Sequence, residues 1–505
     1  MTTLQVAVVG SGPAGLYTAE ALIKQAAALE KPRAVRVDVL DRLPTPYGLV
    51  RYGVAPDHKS IKSVANYLRR VLEAPGVTFL GGVHFGTDVT REDLLSAYDA
   101  VVYATGAMRD RRLGIPGEDL PGSYAATDFV NWYCGHPDVA PDSFTLDAES
   151  VAVIGVGNVA VDVARILARD PAELEQTDIP EPVMAALRAS KVREVHVIGR
   201  RGPAQAKFTT KELRELGELP GVHIAVDQAE FDLEGGYDRS GQSASLAAAD
   251  RHVRGNLVAM AGWDGRSAAE TDRKLRLRFW LRPAEVLSSA GTVSGLRLER
   301  TRLTADGTFE GTGEFETLDA QLVLRSVGYQ SVPLPGVPFD AATHTVPNAG
   351  GRVLSETGEP LPGEYVAGWL KRGPTGVIGT NKADAAETVQ ALLADLAGGP
   401  EAGEGKLPRP GLLRRPEAPG SAGSAGADDA GSAEADGCVL APVLADRGVA
   451  AVSYTDWLRI SDAEEGLAAD LGRGERVKLP HRDAIWSAAR RLPTTEHLAA
   501  ACHCP

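Results

Sequence analysis

Val6-Ala-Val-Val-Gly10-Ser-Gly12-Pro-Ala-Gly15, close to the start of the chain, joins a short apolar strand to a glycine-rich turn and the first residues of a helix. Gly10 permits the sharp turn, Gly12 lets the backbone approach a pyrophosphate, and Gly15 lets the helix pack against the strand. The N–H groups and the positive dipole end of that helix favour the negative charge of a pyrophosphate. This stretch therefore predicts a dinucleotide-binding β-turn-α unit.

The second strand of this unit, Val37–Leu40, ends in Asp41, whose carboxylate can accept hydrogen bonds from a ribose diol. The acid follows the glycines by more than the usual ~20 residues. An alanine-rich helix through Leu29 and its loop account for the extra length. An ordinary β-turn-α unit without a ligand is the alternative, but the strand, the glycines and the acid together favour a nucleotide.

A second signature, Gly155-Val156-Gly157-Asn158-Val159-Ala160, follows the apolar run Val151–Ile154. Its next strand, Val195–Ile198, leads to Gly199-Arg200-Arg201 rather than to an acid. An acid at this point would bind the 2′-hydroxyl of NAD, whereas paired arginines offer bidentate donors to the 2′-phosphate of NADP. The arginine pair therefore predicts NADP, and two solvated surface arginines are the alternative.

The length of 505 residues exceeds what one hydrophobic core usually serves, so at least two domains are expected. The net charge of −14 argues against nucleic acid as a partner. No apolar run approaches the ~18 residues of a membrane span, and no signal-peptide pattern precedes the first strand. These features predict a cytoplasmic protein that binds neither nucleic acid nor a membrane.

The four cysteines, Cys134, Cys438, Cys502 and Cys504, form neither a C-x-x-C pair nor a four-cysteine cluster motif. Electrons taken from a nucleotide would therefore have to leave to a separate carrier. Cys502-His503-Cys504 could chelate a metal, but two thiols and one imidazole on a chain end make a poor site. We expect no bound metal.

Residues 1–397 alternate short apolar runs with helical stretches, which is typical of parallel sheets covered by helices. The stretch Leu275–Leu303 alternates apolar and polar residues instead and predicts antiparallel strands. Residues 398–437 are rich in Gly, Ala, Ser, Pro, Asp and Glu and predict a flexible linker. The strand candidates are Gln5–Val9, Arg36–Leu40, Ala100–Ala104, Val151–Ile154, Glu194–Ile198 and Gln321–Ser326.

Several specific blocks make the chain resemble the adrenodoxin-reductase-like ferredoxin–NADP reductases. These blocks are Gly10–Gly15, Pro46–His58, Ile115–Leu120, Gly157–Arg165, Gly199–Pro203, Phe208–Leu216, Arg325–Tyr329 and Gly368–Lys382. The resemblance implies an α/β fold of two dinucleotide-binding (Rossmann-like) domains, in which an NADP domain is inserted into an FAD domain. The FAD domain would span 1–106 and 325–397, and the NADP domain 107–324. After the linker, residues 438–505 would return to the FAD domain and end in a frayed tail.

The resemblance also implies site residues at the matching positions. For FAD these are Gly10, Gly12, Ala14, Gly15, Asp41, Leu49, the backbone near Phe85, Trp369, Gly376, Val377 and Ile378. For NADP they are Arg111, Val156, Gly157, Asn158, Val159, Arg200, Arg201 and Glu212, with Gly376 where the nicotinamide meets the flavin. His58 and Glu215 match positions that handle protons near the flavin. A structural histidine that caps the loop before Lys59 is the alternative for His58.

The activity implied by the resemblance is that of an NADPH–ferredoxin oxidoreductase. Hydride would pass from NADPH to bound FAD, and single electrons would pass on to a separate ferredoxin-type iron–sulfur protein. One alternative is an NADPH-dependent flavin oxidoreductase with another acceptor, like the small subunit of glutamate synthase, although its cysteine-rich cluster sequence is absent here. The other is a non-catalytic nucleotide-sensing module, which the intact Trp369 and Gly376–Thr380 block disfavours. The missing C-x-x-C argues against a role like that of thioredoxin reductase.

Overall fold

The computed structural model describes residues 3–231, 236–263, 273–397, 438–474 and 476–490. The predicted linker, 398–437, and the tail with Cys502 and Cys504 lie outside the described residues. The strands are β1 (Leu4–Val9), β2 (Val35–Asp41), β3 (Val77–Gly81), β4 (Ala100–Tyr103), β5 (Arg109–Asp110), β6 (Ser123–Ala125), β7 (Ser150–Ile154), β8 (Glu194–Ile198), β9 (Val222–Val226), β10 (Arg273–Arg278), β11 (Leu281–Ser289), β12 (Thr292–Leu303), β13 (Phe309–Asp319), β14 (Leu322–Arg325), β15 (Tyr329–Gln330), β16 (Asn348–Ala349), β17 (Arg352–Leu354) and β18 (Pro360–Val366).

The helices are α1 (Pro13–Ala27), α2 (Leu49–Tyr52), α3 (Lys59–Lys62), α4 (Val64–Leu72), α5 (Arg91–Ala97), α6 (Ala126–Tyr133), α7 (Asn158–Ala168), α8 (Pro171–Leu174), α9 (Glu181–Arg188), α10 (Thr210–Gly217), α11 (Gln228–Phe231), α12 (Gln242–Ala249), α13 (Arg251–Ala261), α14 (Trp369–Arg372), α15 (Thr380–Ala397), α16 (Ala441–Asp446), α17 (Tyr454–Leu471) and α18 (Arg482–Ala489). A 3₁₀ turn covers Pro203–Gln205. Within the described residues, no helix has the length and apolar character that crossing a membrane requires.

The first sheet has the strand order β16-β17-β18-β4-β1-β2-β3. Strands β18, β4, β1, β2 and β3 run parallel, and β17 and β16 pair antiparallel at one edge. Strand β1 is an apolar run because helices cover both faces of the sheet, and Val6 and Val8 are fully buried. Val9 lies opposite Leu40, so the turn after β1 and Asp41 at the end of β2 meet at the same edge.

The second sheet has the order β6-β14-β7-β8-β10-β9 and is parallel throughout. Ile154 at the end of β7 lies opposite Ile198 at the end of β8. The second glycine turn and the arginine pair therefore also share one sheet edge.

The prediction of antiparallel strands over Leu275–Leu303 is wrong for its first part. Residues 275–278 belong to β10, a parallel strand between β8 and β9. Leu275 and Leu277 are buried, whereas Lys274 and Arg276 are exposed. The alternation arises because only one face of β10 is covered, and a half-covered parallel strand has the same pattern as an antiparallel one. The rest of the stretch does form antiparallel strands, since β11, β12 and β13 make a three-stranded meander.

The order of the strands confirms that the second unit is inserted into the first. The chain leaves the first sheet after β4, builds the second sheet from β6 to β14, and returns with β16, β17 and β18. A short ribbon, in which β5 pairs antiparallel with β15, lies where the chain passes between the sheets. Arg325 is the last residue of β14, so it belongs to the second sheet. The domain boundaries themselves stay predictions.

The C-terminal segment packs against the first sheet. Trp457 and Ile460 of α17 and Ile485 of α18 are buried in the same apolar cluster as β1 and β2. Gly81, at the end of β3, and Val452 exchange two backbone hydrogen bonds of 2.8 and 2.7 Å. The segment after residue 437 thus extends the core of the first unit.

Candidate functional site

The turn after β1 has the shape that its glycines predict. Gly10 has φ +115°, and a Cβ there would lie 2.5 Å from the carbonyl oxygen of Ala104. A Cβ on Gly15 would lie 1.8 Å from the carbonyl oxygen of Gly10. A Cβ on Gly12 would meet only the Cα of Gly48, at 3.9 Å, among the described residues. The space in front of Gly12 is therefore open, as a pyrophosphate at the N-terminus of α1 requires.

Asp41 holds this turn in place from the end of β2. Its Oδ2 accepts hydrogen bonds from the N–H of Ser11 at 2.9 Å and from the Ser11 hydroxyl at 2.5 Å. Its Oδ1 accepts one from the N–H of Leu43 at 2.9 Å. Each carboxylate oxygen can accept more than one hydrogen bond, so capacity remains for a ribose diol. The contact of Asp41 with FAD stays a prediction, and its bonds to Ser11 are a further role that the sequence did not reveal.

Tyr47 lies against the same turn, and sequence reasoning missed it. Its φ is +81°, which is uncommon for a residue with a side chain. Its N–H donates to the carbonyl oxygen of Ser11 at 3.1 Å, and its buried ring contacts Trp457 edge-on at 5.9 Å. Leu49, a predicted FAD residue, begins α2 two positions later. The signal in the sequence was the family block Pro46–His58, which singles out the loop but not the tyrosine.

Trp369 and residues 376–378 follow β18, which ends at the same edge of the first sheet as β1. Gly368, just before Trp369, lies so close to Ala14 of α1 that a Cβ on it would be 2.5 Å from the Cβ of Ala14. The indole N–H of Trp369 donates to the carbonyl oxygen of Thr375 at 3.2 Å, and the Trp369 ring stacks on Tyr329 at 5.5 Å. Helix α15 begins at Thr380, so its positive dipole end follows residues 376–378.

Two of the predicted FAD residues are packed into the protein. Ala14 is buried in the first turn of α1, where its backbone lines the glycine turn. The Phe85 side chain is buried and contacts the Tyr103 ring at 5.7 Å. A contact between Phe85 and FAD would therefore use the backbone, as predicted. By contrast, the Val377 side chain is 67% exposed.

The turn after β7 repeats the geometry of the first turn. Gly155 has φ +135°, and a Cβ there would lie 2.0 Å from the carbonyl oxygen of Ser326. A Cβ on Gly157 would meet no described atom within 4 Å. Helix α7 begins at Asn158, whose Oδ1 accepts a hydrogen bond from the N–H of Thr209 at 2.8 Å. Open space at a helix N-terminus thus exists at both turns, and it suits a second pyrophosphate.

Arg200 and Arg201 follow β8 at the edge that carries this second turn. Neither guanidinium forms an ion pair with an acid in the part of the chain that the structure describes. Their Cζ atoms lie 4.6 and 5.7 Å from the centre of the Phe309 ring. Burial and the neighbouring charge of Arg201 lower the pKa of Arg200. Two adjacent cations without an acidic partner suit a phosphate ligand.

Arg111, the remaining predicted NADP residue, follows the connecting ribbon. Its backbone N–H donates to the carbonyl oxygen of Gly328 at 2.9 Å, and its side chain is exposed. Arg111 therefore lies between the two sheets, and its contact with NADP stays a prediction.

His58 belongs to an ionic cluster between the two units. Its Nε2 lies 2.9 Å from Oδ1 of Asp162 on α7 and 2.9 Å from Oε2 of Glu212 on α10. Its Nδ1 lies 3.7 Å from Oε2 of Glu215. The guanidinium of Arg165 comes within 2.8 Å of Nε2. The structure thus brings Glu212, which was predicted to bind NADP, together with the predicted proton-handling pair His58 and Glu215.

The cluster keeps His58 protonated at neutral pH. Burial by itself would lower the pKa of His58, but the carboxylates of Asp162 and Glu212 outweigh it and raise the pKa to about 9. Although burial tends to raise the pKa of Glu212, the contact with His58 lowers it. His58 is the N-cap residue of α3, yet its side chain forms no capping hydrogen bond. The ring therefore does not cap the loop, but a structural role stays the alternative for His58, because its contacts to carboxylates of the second unit also suit one.

The same atoms have a spacing that could hold a metal ion. The ligand atoms of His58, Glu212 and Glu215 lie within 4.8 Å of one another. A metal ion would have to displace the proton on His58 and approach the guanidinium of Arg165, which lies 2.8 Å from Nε2. Arg165 already brings a positive charge to Nε2. The chemistry of the cluster therefore favours a held proton over a metal.

Comparison with known proteins identifies relatives of the chain. Residues 4–224 match the family model described as pyridine nucleotide-disulphide oxidoreductase. NADPH-ferredoxin reductase FprA of Mycobacterium tuberculosis is 46% identical over 410 residues, which cover 80% of this chain and 87% of that protein. The mitochondrial NADPH:adrenodoxin oxidoreductase of Bos taurus is 40% identical over 488 residues, which cover 94% of this chain and 90% of that protein.

A solved structure, Mycobacterium tuberculosis FprA in complex with NADPH, matches this fold with a TM-score of 0.84 at 41% identity. The match covers 97% of this chain and 100% of that one. Identities of this size over most of both chains decide the family. The chain therefore belongs to the family of the NADPH-ferredoxin and NADPH:adrenodoxin reductases.

Proposed function

We propose that the protein is an NADPH–ferredoxin oxidoreductase that holds FAD on its first glycine turn and NADPH on its second. The observation that carries the proposal is the pair of open turns, over Gly12 and over Gly157, each at the N-terminus of a helix. The second strands of the two units lead to different residues, since Asp41 suits a ribose diol and Arg200-Arg201 suit a 2′-phosphate. One chain thus holds two different dinucleotides together.

The residues around the first turn would bind and orient FAD. Gly12 admits the pyrophosphate, Asp41 accepts from the ribose, and Trp369 with the 376–378 backbone flanks the ring system. The positive end of α15 would stabilise negative charge on the flavin. FAD bound there supplies the redox chemistry, because a flavin takes up a hydride and gives up single electrons.

The second turn would bind NADPH so that its nicotinamide reaches the flavin. Gly157 admits the pyrophosphate, and Arg200 with Arg201 binds the 2′-phosphate. Gly376 has φ +81°, and a Cβ there would lie 2.7 Å from Oγ1 of Thr380, so only glycine suits this turn, where we expect the nicotinamide to meet the flavin. Each NADPH delivers two electrons and one proton as a hydride, and two ferredoxins each remove one electron.

His58 and Glu215 would handle the proton that electron transfer leaves behind. The hydride step needs no general acid, but removal of two electrons releases a proton that must reach solvent. His58 is positively charged at neutral pH, and its Nδ1 lies 3.7 Å from the partly exposed Glu215. Release of the Nδ1 proton to solvent, through a water between Nδ1 and Glu215, would leave a neutral ring able to take up the proton that the flavin loses.

The electrons would leave to a separate ferredoxin. The sequence contains no C-x-x-C and no four-cysteine motif, and Cys134 and Cys438 are buried and free. The names of the relatives, NADPH-ferredoxin reductase and NADPH:adrenodoxin oxidoreductase, point to the same kind of acceptor. We further propose a cytoplasmic location, which cell fractionation would test.

Anaerobic mixing of the purified, FAD-loaded protein with NADPH tests the proposal. NADPH is expected to bleach the flavin absorbance, and added oxidised ferredoxin should restore it with a stoichiometry of two ferredoxins per NADPH. No bleaching would refute the enzymatic function and favour a nucleotide sensor. Bleaching without reoxidation by any ferredoxin would leave an NADPH-dependent flavin enzyme with another acceptor.

A further inference from the structure

Phe309 lies beneath the arginine pair that follows β8. It is the first residue of β13, in the antiparallel meander, and its half-buried ring packs against the core of the second unit. The Cζ atoms of Arg200 and Arg201 lie 4.6 and 5.7 Å from the ring centre. Both distances are within the range of a cation–π contact.

The two arginines need such support because they repel each other. Adjacent positive charges without an acidic partner tend to separate into solvent, where each guanidinium would be free to rotate. The negative face of an aromatic ring attracts both cations without neutralising them, as a carboxylate would. The guanidinium groups therefore keep their full charge for a ligand.

The same meander also holds the backbone of the pair. The carbonyl oxygen of Arg200 accepts a hydrogen bond from the hydroxyl of Thr301, on β12, at 2.8 Å. The carbonyl oxygen of Arg201 accepts one from the N–H of Trp280, the residue just before β11, at 3.2 Å. The backbone is thus fixed at both residues, and Phe309 fixes the side chains.

We propose that Phe309 is a positioning residue that sets the preference for NADPH over NADH by holding Arg200 and Arg201 ready for the 2′-phosphate. The inference rests on the proposed function, which assigns this phosphate to the arginine pair. The meander is not part of either dinucleotide-binding fold. In this inference its task is to preorganise the phosphate site.

A second arginine–aromatic pair on the same strand provides a matched control. Phe315, also on β13, has the Cζ of Arg297 at 4.3 Å from its ring centre. Phe315 is 48% exposed, and Arg297, on β12, has a carboxylate oxygen of Glu285 at 4.0 Å. Loss of this contact should not affect nucleotide selection.

The test compares Phe309→Leu, Phe309→Tyr, Phe315→Leu and the double variant Arg200→Ala with Arg201→Ala, all loaded with FAD. Steady-state rates with NADPH and with NADH and a one-electron acceptor give KM and kcat for each donor. Phe309→Leu should raise the KM for NADPH about tenfold and leave both kcat and the NADH kinetics unchanged. Phe309→Tyr should restore the wild-type KM, and Phe315→Leu should match wild type.

Calorimetric binding of 2′,5′-ADP and of 5′-AMP gives a readout that does not depend on turnover. Phe309→Leu should weaken the binding of 2′,5′-ADP and leave the binding of 5′-AMP unchanged. Equal weakening of both ligands would mean that Phe309 stacks on the adenine, and no weakening would mean that the ring does not position the arginines; either result overturns the inference. If the double arginine variant keeps its preference for NADPH, the 2′-phosphate assignment itself fails. If that variant loses its preference while Phe309→Leu keeps it, only the role of Phe309 fails.

Discussion

Replacing His58 with Gln tests the ionic cluster that lies between the two domains. Gln keeps a polar side chain of similar reach but removes the titratable charge. The charged groups that face the His58 ring are Asp57 on its own loop, Asp162 and Arg165 on α7, and Glu212 and Glu215 on α10. Most of them belong to the second domain, so the charge on His58 contributes to the contact between domains.

The raised pKa of His58 determines how the stability of the protein changes with pH. Burial opposes the charged imidazole, but Asp162 and Glu212 raise the pKa of His58 from 6.5 to about 9. The folded protein therefore holds this proton more tightly than the unfolded chain. The resulting stability is fully present below about pH 6.5 and is lost as the pH rises through about 9. The difference between the two pKa values corresponds to roughly 3 kcal/mol.

Denaturant unfolding of the FAD-loaded protein at about pH 6 and about pH 10 measures this contribution. His58→Gln should lower the free energy of unfolding by up to ~3 kcal/mol at the lower pH, and the deficit should shrink at the higher pH. His84→Gln serves as the control, because His84 is exposed and its side chain bonds only to that of Thr87 among the described residues. The His84 variant should have the same free energy of unfolding as wild type at both pH values.

Two results would refute this reasoning. A deficit of the same size at both pH values would mean that His58 contributes through packing and hydrogen bonds rather than through its charge. A deficit that grows with pH would mean that the folded protein binds the His58 proton more weakly than the unfolded chain. Either result would also remove the basis for a proton held at Nδ1 of His58 near Glu215.

Three further predictions concern the FAD domain. Glu464→Gln should destabilise the protein by about 3 kcal/mol, because it leaves the buried guanidinium of Arg51 without its negatively charged partner. The neighbouring Glu465 is exposed, and Glu465→Gln should cost less than about 0.5 kcal/mol in the same unfolding assay. Gly12→Val should fill the open space over the first turn and abolish FAD retention, which the flavin-to-protein absorbance ratio of the purified variant reports; retained flavin would mean that the pyrophosphate binds elsewhere. Deleting 398–437 and joining the flanks with a Gly-Ser linker should leave that ratio unchanged, because the composition of the segment predicts no core of its own, and loss of flavin would show that the segment contributes to the site.

The two glycine turns could be predicted from sequence because the need for glycine there is local. Gly10 and Gly155 have positive φ. A Cβ on either would collide with the backbone just after the neighbouring strand of its sheet, at Ala104 after β4 and at Ser326 after β14. Such a constraint leaves a mark at fixed positions in one short stretch. The residue at the end of each second strand is also fixed by the parallel register, which is why Asp41 and Arg200 lie where the sequence placed them.

The direction of β10 could not be predicted from the same kind of pattern. Alternation of buried Leu275 and Leu277 with exposed neighbours reports how many faces of a strand are covered. It does not report whether the neighbouring strands run parallel or antiparallel. The pairing of β10 with β8 and β9 depends on residues about 50 to 80 positions earlier in the chain, and no local pattern records it.

The contacts between domains escaped prediction for a related reason. Asp162 and Arg165 are three residues apart on α7, so they share a helix face and pair with each other. That His58, on the other domain, contacts both of them depends on how the two domains dock. Phe309 is a similar case, because nothing in an alternating strand distinguishes a ring under two arginines from one facing solvent.

The contacts between the domains include buried charges, and these charges bear on electron transfer. The cluster at His58 joins the two domains, and Lys478 of the C-terminal segment donates to the carbonyl oxygens of Arg51 and Cys134, both at 2.8 Å. A buried charge is tolerated only where its partners are in place, so such contacts stabilise one relative orientation of the domains and penalise others. Hydride transfer requires the nicotinamide and the flavin to approach within ~3.5 Å. Two nucleotides held on separate folds meet at that distance only if the folds are fixed relative to each other, and the buried charges between them supply that constraint.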